Sequence, residues 1–174
     1  MPMAPPQRPV QTPVVQGITL IPLSELPDSF SNIFPYRLFN AVQSKCFPHL
    51  VESDDNFVMS APTGSGKTVI LELAIARLML HTNQSPFKVV YLAPTKALCS
   101  ERHKDWTRKF QMHNLVCAEL TGDTAMSQAI DSIQKAHILI ATPEKWDSTT
   151  RKWKENRQYM DLVKLVLKIG RAHV

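Results

Sequence analysis

The stretch Phe57–Thr68, FVMSAPTGSGKT, constrains the fold of this chain more than any other. A short apolar run is followed by a turn holding two glycines, and a Lys-Thr pair opens a helical pattern. The order predicts a buried strand at Phe57–Ser60, a tight loop at Ala61–Gly66 and a helix from Thr68 to Leu80. In such a unit the loop N–H groups and the positive end of the helix converge on phosphate oxygens. Gly64 and Gly66 permit the turn and a close backbone approach. Lys67 adds a point charge for the β- and γ-phosphates, and the Thr68 hydroxyl is placed to ligate a phosphate-bound Mg²⁺. The usual pattern opens with glycine where Ala61 stands, but Gly64, Gly66, Lys67 and Thr68 remain in register. Ala61, Pro62, Thr63, Gly64, Ser65, Gly66, Lys67 and Thr68 are therefore the predicted nucleotide-binding residues. Lys67 and Thr68 stand nearest the chemistry.

Composition narrows the class. The 174 residues are 44% apolar, enough for one domain with a sizeable core. No apolar run reaches the length of a bilayer span, and no basic-then-apolar leader opens the chain, so an intracellular protein without membrane contact is expected. Cys46, Cys99 and Cys117 lie far apart, which argues for reduced thiols rather than a disulfide framework or a zinc site. The net charge of +5 is concentrated from Lys145 onward, where eight Lys/Arg face three Asp/Glu. Such a tract suits a nucleic-acid backbone, although a solvated basic face satisfies it equally.

Residues 1–17 carry Pro2, Pro5, Pro6, Pro9 and Pro13 without a period, which predicts a disordered tail. Residues 18–35 read as an extended strap. Tyr36–Leu50 has Phe39, Val42, Cys46 and Phe47 at helical spacing, with Gln43 beside that face. A glutamine amide offers one acceptor and one donor, the complement of the adenine amine and ring nitrogen. Farther along, Lys88–Leu92, Val116–Leu120, His137–Ala141 and Val163–Leu167 are short apolar strands. Helices at Thr95–Phe110 and Ala125–Lys135 separate them. The alternation predicts an α/β fold, a parallel sheet with helices on both faces, and ligands gather beyond the carboxyl ends of such strands. Polar loops follow there: Pro94, Thr95 and Lys96; Thr121 and Gly122; Thr142, Pro143 and Lys145. These positions can cap helices, and they can equally present hydroxyls, helix N-termini and ammonium groups to a sugar-phosphate backbone.

Taken in order, these motifs resemble those of superfamily 2 helicases in the superkiller-like branch of DExH-box enzymes. Gln43 resembles the adenine-reading glutamine, APTGSGKT motif I, APTKAL at Ala93–Leu98 motif Ia, and TGD at Thr121–Asp123 and TPEKWD at Thr142–Asp147 later nucleic-acid-contacting motifs. The wording around FNAVQSKCF and TPEKWDSTTRKW is similar to that of meiotic crossover-promoting DNA helicases. The resemblance, which runs from Pro35 to Leu167, implies a P-loop (RecA-like) fold for 36–167. It also implies ATP and Mg²⁺ as cofactors, 3′–5′ translocation on single-stranded or branched DNA, and action in the nucleus. By the same resemblance Gln43 would read adenine, and Thr95, Lys96, Thr142 and Lys145 would touch the DNA backbone. RNA as substrate, or a non-enzymatic nucleotide- or nucleic-acid-binding module, are the competing readings.

One departure bears on catalysis. The family pattern places Asp-Glu-x-His after the last of these strands, where this chain reads Lys168-Ile169-Gly170-Arg171-Ala172-His173-Val174. No acidic residue follows Asp161, and the second motor domain is missing from the sequence, so the first domain is expected to be C-terminally truncated and hydrolysis-incompetent alone. Residues 168–174 fit codons of a common sequencing-library adapter and are expected to be a non-native tail.

Overall fold

The computed structural model describes residues 12–82, 85–151 and 157–170. The expected tail over 1–11 and the end of the expected non-native tail, 171–174, lie outside the described residues. The chain divides into two compact units, one up to Ile70 and one from Leu71 onward.

The first unit opens on a hairpin of β1 (Val14–Val15) and β2 (Ile18–Thr19), with Val14 opposite Thr19. Gln16 and Gly17 take φ of 51° and 77°, the left-handed pair that a two-residue hairpin turn needs. Composition alone assigned residues 12–17 to a disordered tail, and the local turn geometry is the reason that they form a hairpin instead. The strap is not uniformly extended either. Pro22 and Pro27 introduce 3₁₀ turns at Leu23–Glu25 and Asp28–Phe30, and Leu23 N–H donates to Arg37 O at 2.9 Å. Beneath them Phe30, Ile33, Phe34, Phe39 and Phe47 are buried. The Phe39 ring lies 5.7 Å from Phe34 and 5.5 Å from Phe47, an aromatic cluster that anchors the unit.

Helix α1 spans Ala41–Glu52 rather than Tyr36–Leu50. Phe39 sits at helical spacing from its partners, but Asn40 stops the helix behind it by capping. Phe57–Ser60 departs further from the expected structure. This segment joins neither sheet, and Phe57 and Val58 are 42% and 93% exposed, so the predicted buried strand is absent. An apolar run becomes a strand only where a neighbouring strand supplies hydrogen bonds, and no described strand pairs with it. Helix α2 begins at Lys67, directly after the loop, and runs to His81.

The second unit is built on a parallel sheet of order β4-β5-β3-β6. Its strands are β3 (Lys88–Leu92), β4 (Cys117–Leu120), β5 (Ile138–Ala141) and β6 (Val163–Lys168). Parallel neighbours need long crossovers, and the chain supplies α3 (Lys96–Phe110), α4 (Met126–Lys135), α5 (Pro143–Thr150) and the short α6 (Arg157–Met160). Both central strands, β3 and β5, are almost wholly buried, which is why they read as continuous apolar runs. Successive residues face opposite ways: Val90 and Leu139 pack with Ala129 and Ile133 of α4, whereas the Tyr91 ring meets Trp106 of α3 at 5.1 Å. Helices therefore flank the sheet as predicted.

A polar knot crosses this unit. Fully buried Glu72 accepts from Trp106 Nε1 at 3.0 Å and from Lys109 Nζ at 2.7 Å. Burial raises its pKa more than these two donors lower it. Trp106 is thus a buried packing residue of this unit.

Candidate functional site

The phosphate loop belongs to the first unit. Gly64 and Gly66 have φ of 81° and 82°, and these left-handed values are why the loop holds glycine at both places. Ser65 N–H donates to Pro62 O at 3.3 Å and Val69 N–H to Gly66 O at 3.2 Å, closing the turn and starting α2. Lys67 curls back over the loop, its ammonium donating to Ala61 O at 2.6 Å and Pro62 O at 2.7 Å. Ser65 Oγ is a buried hydroxyl without a partner among the described residues. The Lys67 ammonium lies on two loop carbonyls beside the unsatisfied Ser65 hydroxyl, and both are donors that an oxyanion at the start of α2 can recruit. The residues present therefore fit a nucleotide phosphate.

Gln43 is 5% exposed and does not hang free. Its Oε1 accepts from Asn40 N–H at 3.0 Å while Gln43 N–H donates to Asn40 Oδ1 at 2.9 Å, a capping box. Its Nε2 donates to Gly66 O at 3.3 Å, so the predicted adenine reader does touch the phosphate loop. Asn40 was not foreseen as a site residue, although N-x-x-Q is legible as a capping signature.

The second group of predicted residues meets in the second unit. Pro94, Lys96, Gly122, Thr142 and Lys145 line one cleft of roughly 560 Å³ beyond the carboxyl ends of β3, β4 and β5, joined by Glu144 and Ser148. Thr95 is exposed and caps α3, accepting from Leu98 N–H at 3.3 Å. Thr142 stands at the N-cap position of α5 without a side-chain capping bond, Pro143 takes the first turn, and Thr121 and Thr142 are both buried at the strand ends. Lys145 Nζ donates to Thr124 O at 2.5 Å. Lys96 Nζ holds Asp123 at 2.8 Å, a pair whose side chains are 54% and 82% exposed. An ion pair that exposed contributes at most about 1 kcal/mol, so an incoming phosphate can exchange with it at small cost. Glu144 and Ser148 line the cleft beyond the contacts expected from the sequence, while Thr124 and Asp123 hold the two lysines.

Loop, helix and polar-edged parallel sheet together define a P-loop α/β nucleotide-binding class. The DEAD/DEAH box helicase model matches residues 40–167, and the chain belongs to that family. Among its relatives is a Xenopus tropicalis protein named "Probable ATP-dependent DNA helicase HFM1", 52% identical over 88% of this chain. The Saccharomyces cerevisiae ATP-dependent DNA helicase MER3 is 47% identical over 82%, and the Arabidopsis thaliana RNA helicase DExH13 42% identical over 76%. The chain spans only 12% of each of the first two relatives and 6% of the third. Mss116p bound to ssRNA and AMP-PNP shares the RecA-like fold with a TM-score of 0.70 at 19% identity, over 92% of this chain and 42% of that one.

Proposed function

We propose that this chain is a nucleotide-binding part of an ATP-dependent 3′–5′ DNA helicase that works on single-stranded or branched DNA in the nucleus, in meiotic recombination. The observation that carries the reading is the loop Ala61–Gly66, with its two left-handed glycines and the Lys67 ammonium folded over it. Gln43 would read adenine; Thr63–Thr68 would hold the phosphates and, through Thr68, Mg²⁺. When bound, ATP supplies the phosphoryl group whose transfer drives translocation. Lys67 neutralises charge at the outer phosphates, and the loop fixes their position, which is most of what phosphoryl-transfer catalysis demands of a protein. The cleft lined by Pro94, Lys96, Gly122, Thr142 and Lys145 would follow a nucleic-acid backbone, with Thr95, Thr121 and Pro143 shaping its rim.

Phosphate contacts of this kind are blind to the sugar, and an RNA helicase is the second reading, favoured by the RNA-helicase name of one relative. Fluorescence anisotropy with matched DNA and RNA oligonucleotides separates the two: tighter DNA binding supports the proposal, and an RNA preference overturns its substrate. Lys96→Ala and Lys145→Ala should each reduce the salt slope of binding by about one. Unchanged slopes would remove the cleft from the account. With no acidic pair after Asp161, the 174-residue chain is expected to release phosphate from ATP negligibly. DNA-stimulated release that vanishes in Lys67→Ala would contradict this.

A further inference from the structure

The start of α1 carries two side-chain amides where capping alone needs none. Asn40 Oδ1 and Gln43 Oε1 close the capping box at 2.9 and 3.0 Å. The nitrogens of the same two side chains both turn to the phosphate loop, Asn40 Nδ2 donating to Ser65 O at 3.0 Å and Gln43 Nε2 to Gly66 O at 3.3 Å. Serine, threonine or aspartate caps a helix about as well as asparagine, and glutamate closes the box as well as glutamine. None of those residues adds an amide N–H donor. Capping therefore explains the two oxygens, and the loop explains the two nitrogens.

The consequence for the loop follows from peptide geometry. In a trans peptide the carbonyl and the next N–H point in opposite directions. Holding Ser65 O and Gly66 O against the amides of α1 turns the N–H groups of Gly66 and Lys67 away from α1. Gly66 makes the close approach possible, since a Cβ there would run into Gln43 Nε2 and stand 3.1 Å from Asn40 Nδ2.

We propose that Asn40 is a positioning residue of the nucleotide site: its amide clamps Ser65 and, through the capping box, fixes the Gln43 amide against Gly66, so that phosphate loop and base reader form one preorganised piece. This rests on the proposed ATP-binding role of Gln43 and the loop. A clamped loop loses less freedom when a ligand binds, and the gain appears as affinity.

Asn40→Ser keeps a capping oxygen and deletes the donor to Ser65. This variant of the 174-residue chain should unfold within about 2 °C of the parent, since serine caps comparably. Backbone order parameters of Ser65 and Gly66, read by NMR without ligand, should fall, and affinity for Mg·AMP-PNP should fall about tenfold. Order parameters and affinity like the parent's would overturn the clamp while leaving the functional reading intact. If the unmutated chain fails to bind Mg·AMP-PNP, the functional reading falls first and the role of Asn40 in a nucleotide site falls with it.

Discussion

At the scale of single residues, the loop was legible because its chemistry needs particular letters at fixed spacing. Gly64 and Gly66 occupy the left-handed backbone that their place in the motif implied. Gly66→Ala adds a strained φ and a collision with Gln43 Nε2, so it should cost at least about 1 kcal/mol of stability, measurable by urea denaturation. Gly64 has open space around its Cβ position, and Gly64→Ala should cost less, the φ penalty alone. The contacts of Asn40 and Gln43 with the loop were not legible. The capping signature reports where a helix begins, and it is silent on what the remaining amide nitrogens touch.

At the scale of elements, strands β3 and β5 were read correctly because burial on both faces writes a continuous apolar run. The same signal misled at Phe57–Ser60, since apolar letters state a preference for burial while pairing depends on which strands stand nearby. Helix α2 hides a titration that the sequence could not reveal, because Glu72 meets Trp106 and Lys109 only through the fold. Its folded pKa is raised above the unfolded value, so the folded state binds more protons between the two. Stability tied to this group is full below the unfolded pKa and is lost as pH rises through the folded pKa. Glu72→Gln removes that slope, so the stability of the variant relative to the parent should rise from pH 4 toward neutrality. Denaturant midpoints for both proteins across that range check it, and parallel curves would exclude Glu72 as the source. Cys117 is held as an inert thiol, since burial pushes its pKa up to about 12.

At the scale of the whole molecule, sequence order placed the two candidate sites on separate loops without saying how each loop is held. Strand β6 pairs with β3 alone among the described strands and leaves Val166 58% exposed on an edge. Such an edge invites pairing with another chain. Val166→Lys should therefore reduce concentration-dependent association of the 174-residue chain in sedimentation experiments. If Ala61–Thr68 hold a magnesium nucleotide, calorimetric titration of Mg·AMP-PNP into the chain and into Lys67→Ala should show tighter binding by the unmutated chain. Charge-assisted contacts to phosphate are worth about 1.5–3 kcal/mol, so loss of the ammonium should weaken binding at least about tenfold. Equal affinity in the two proteins, or no binding by the unmutated chain, would contradict the account.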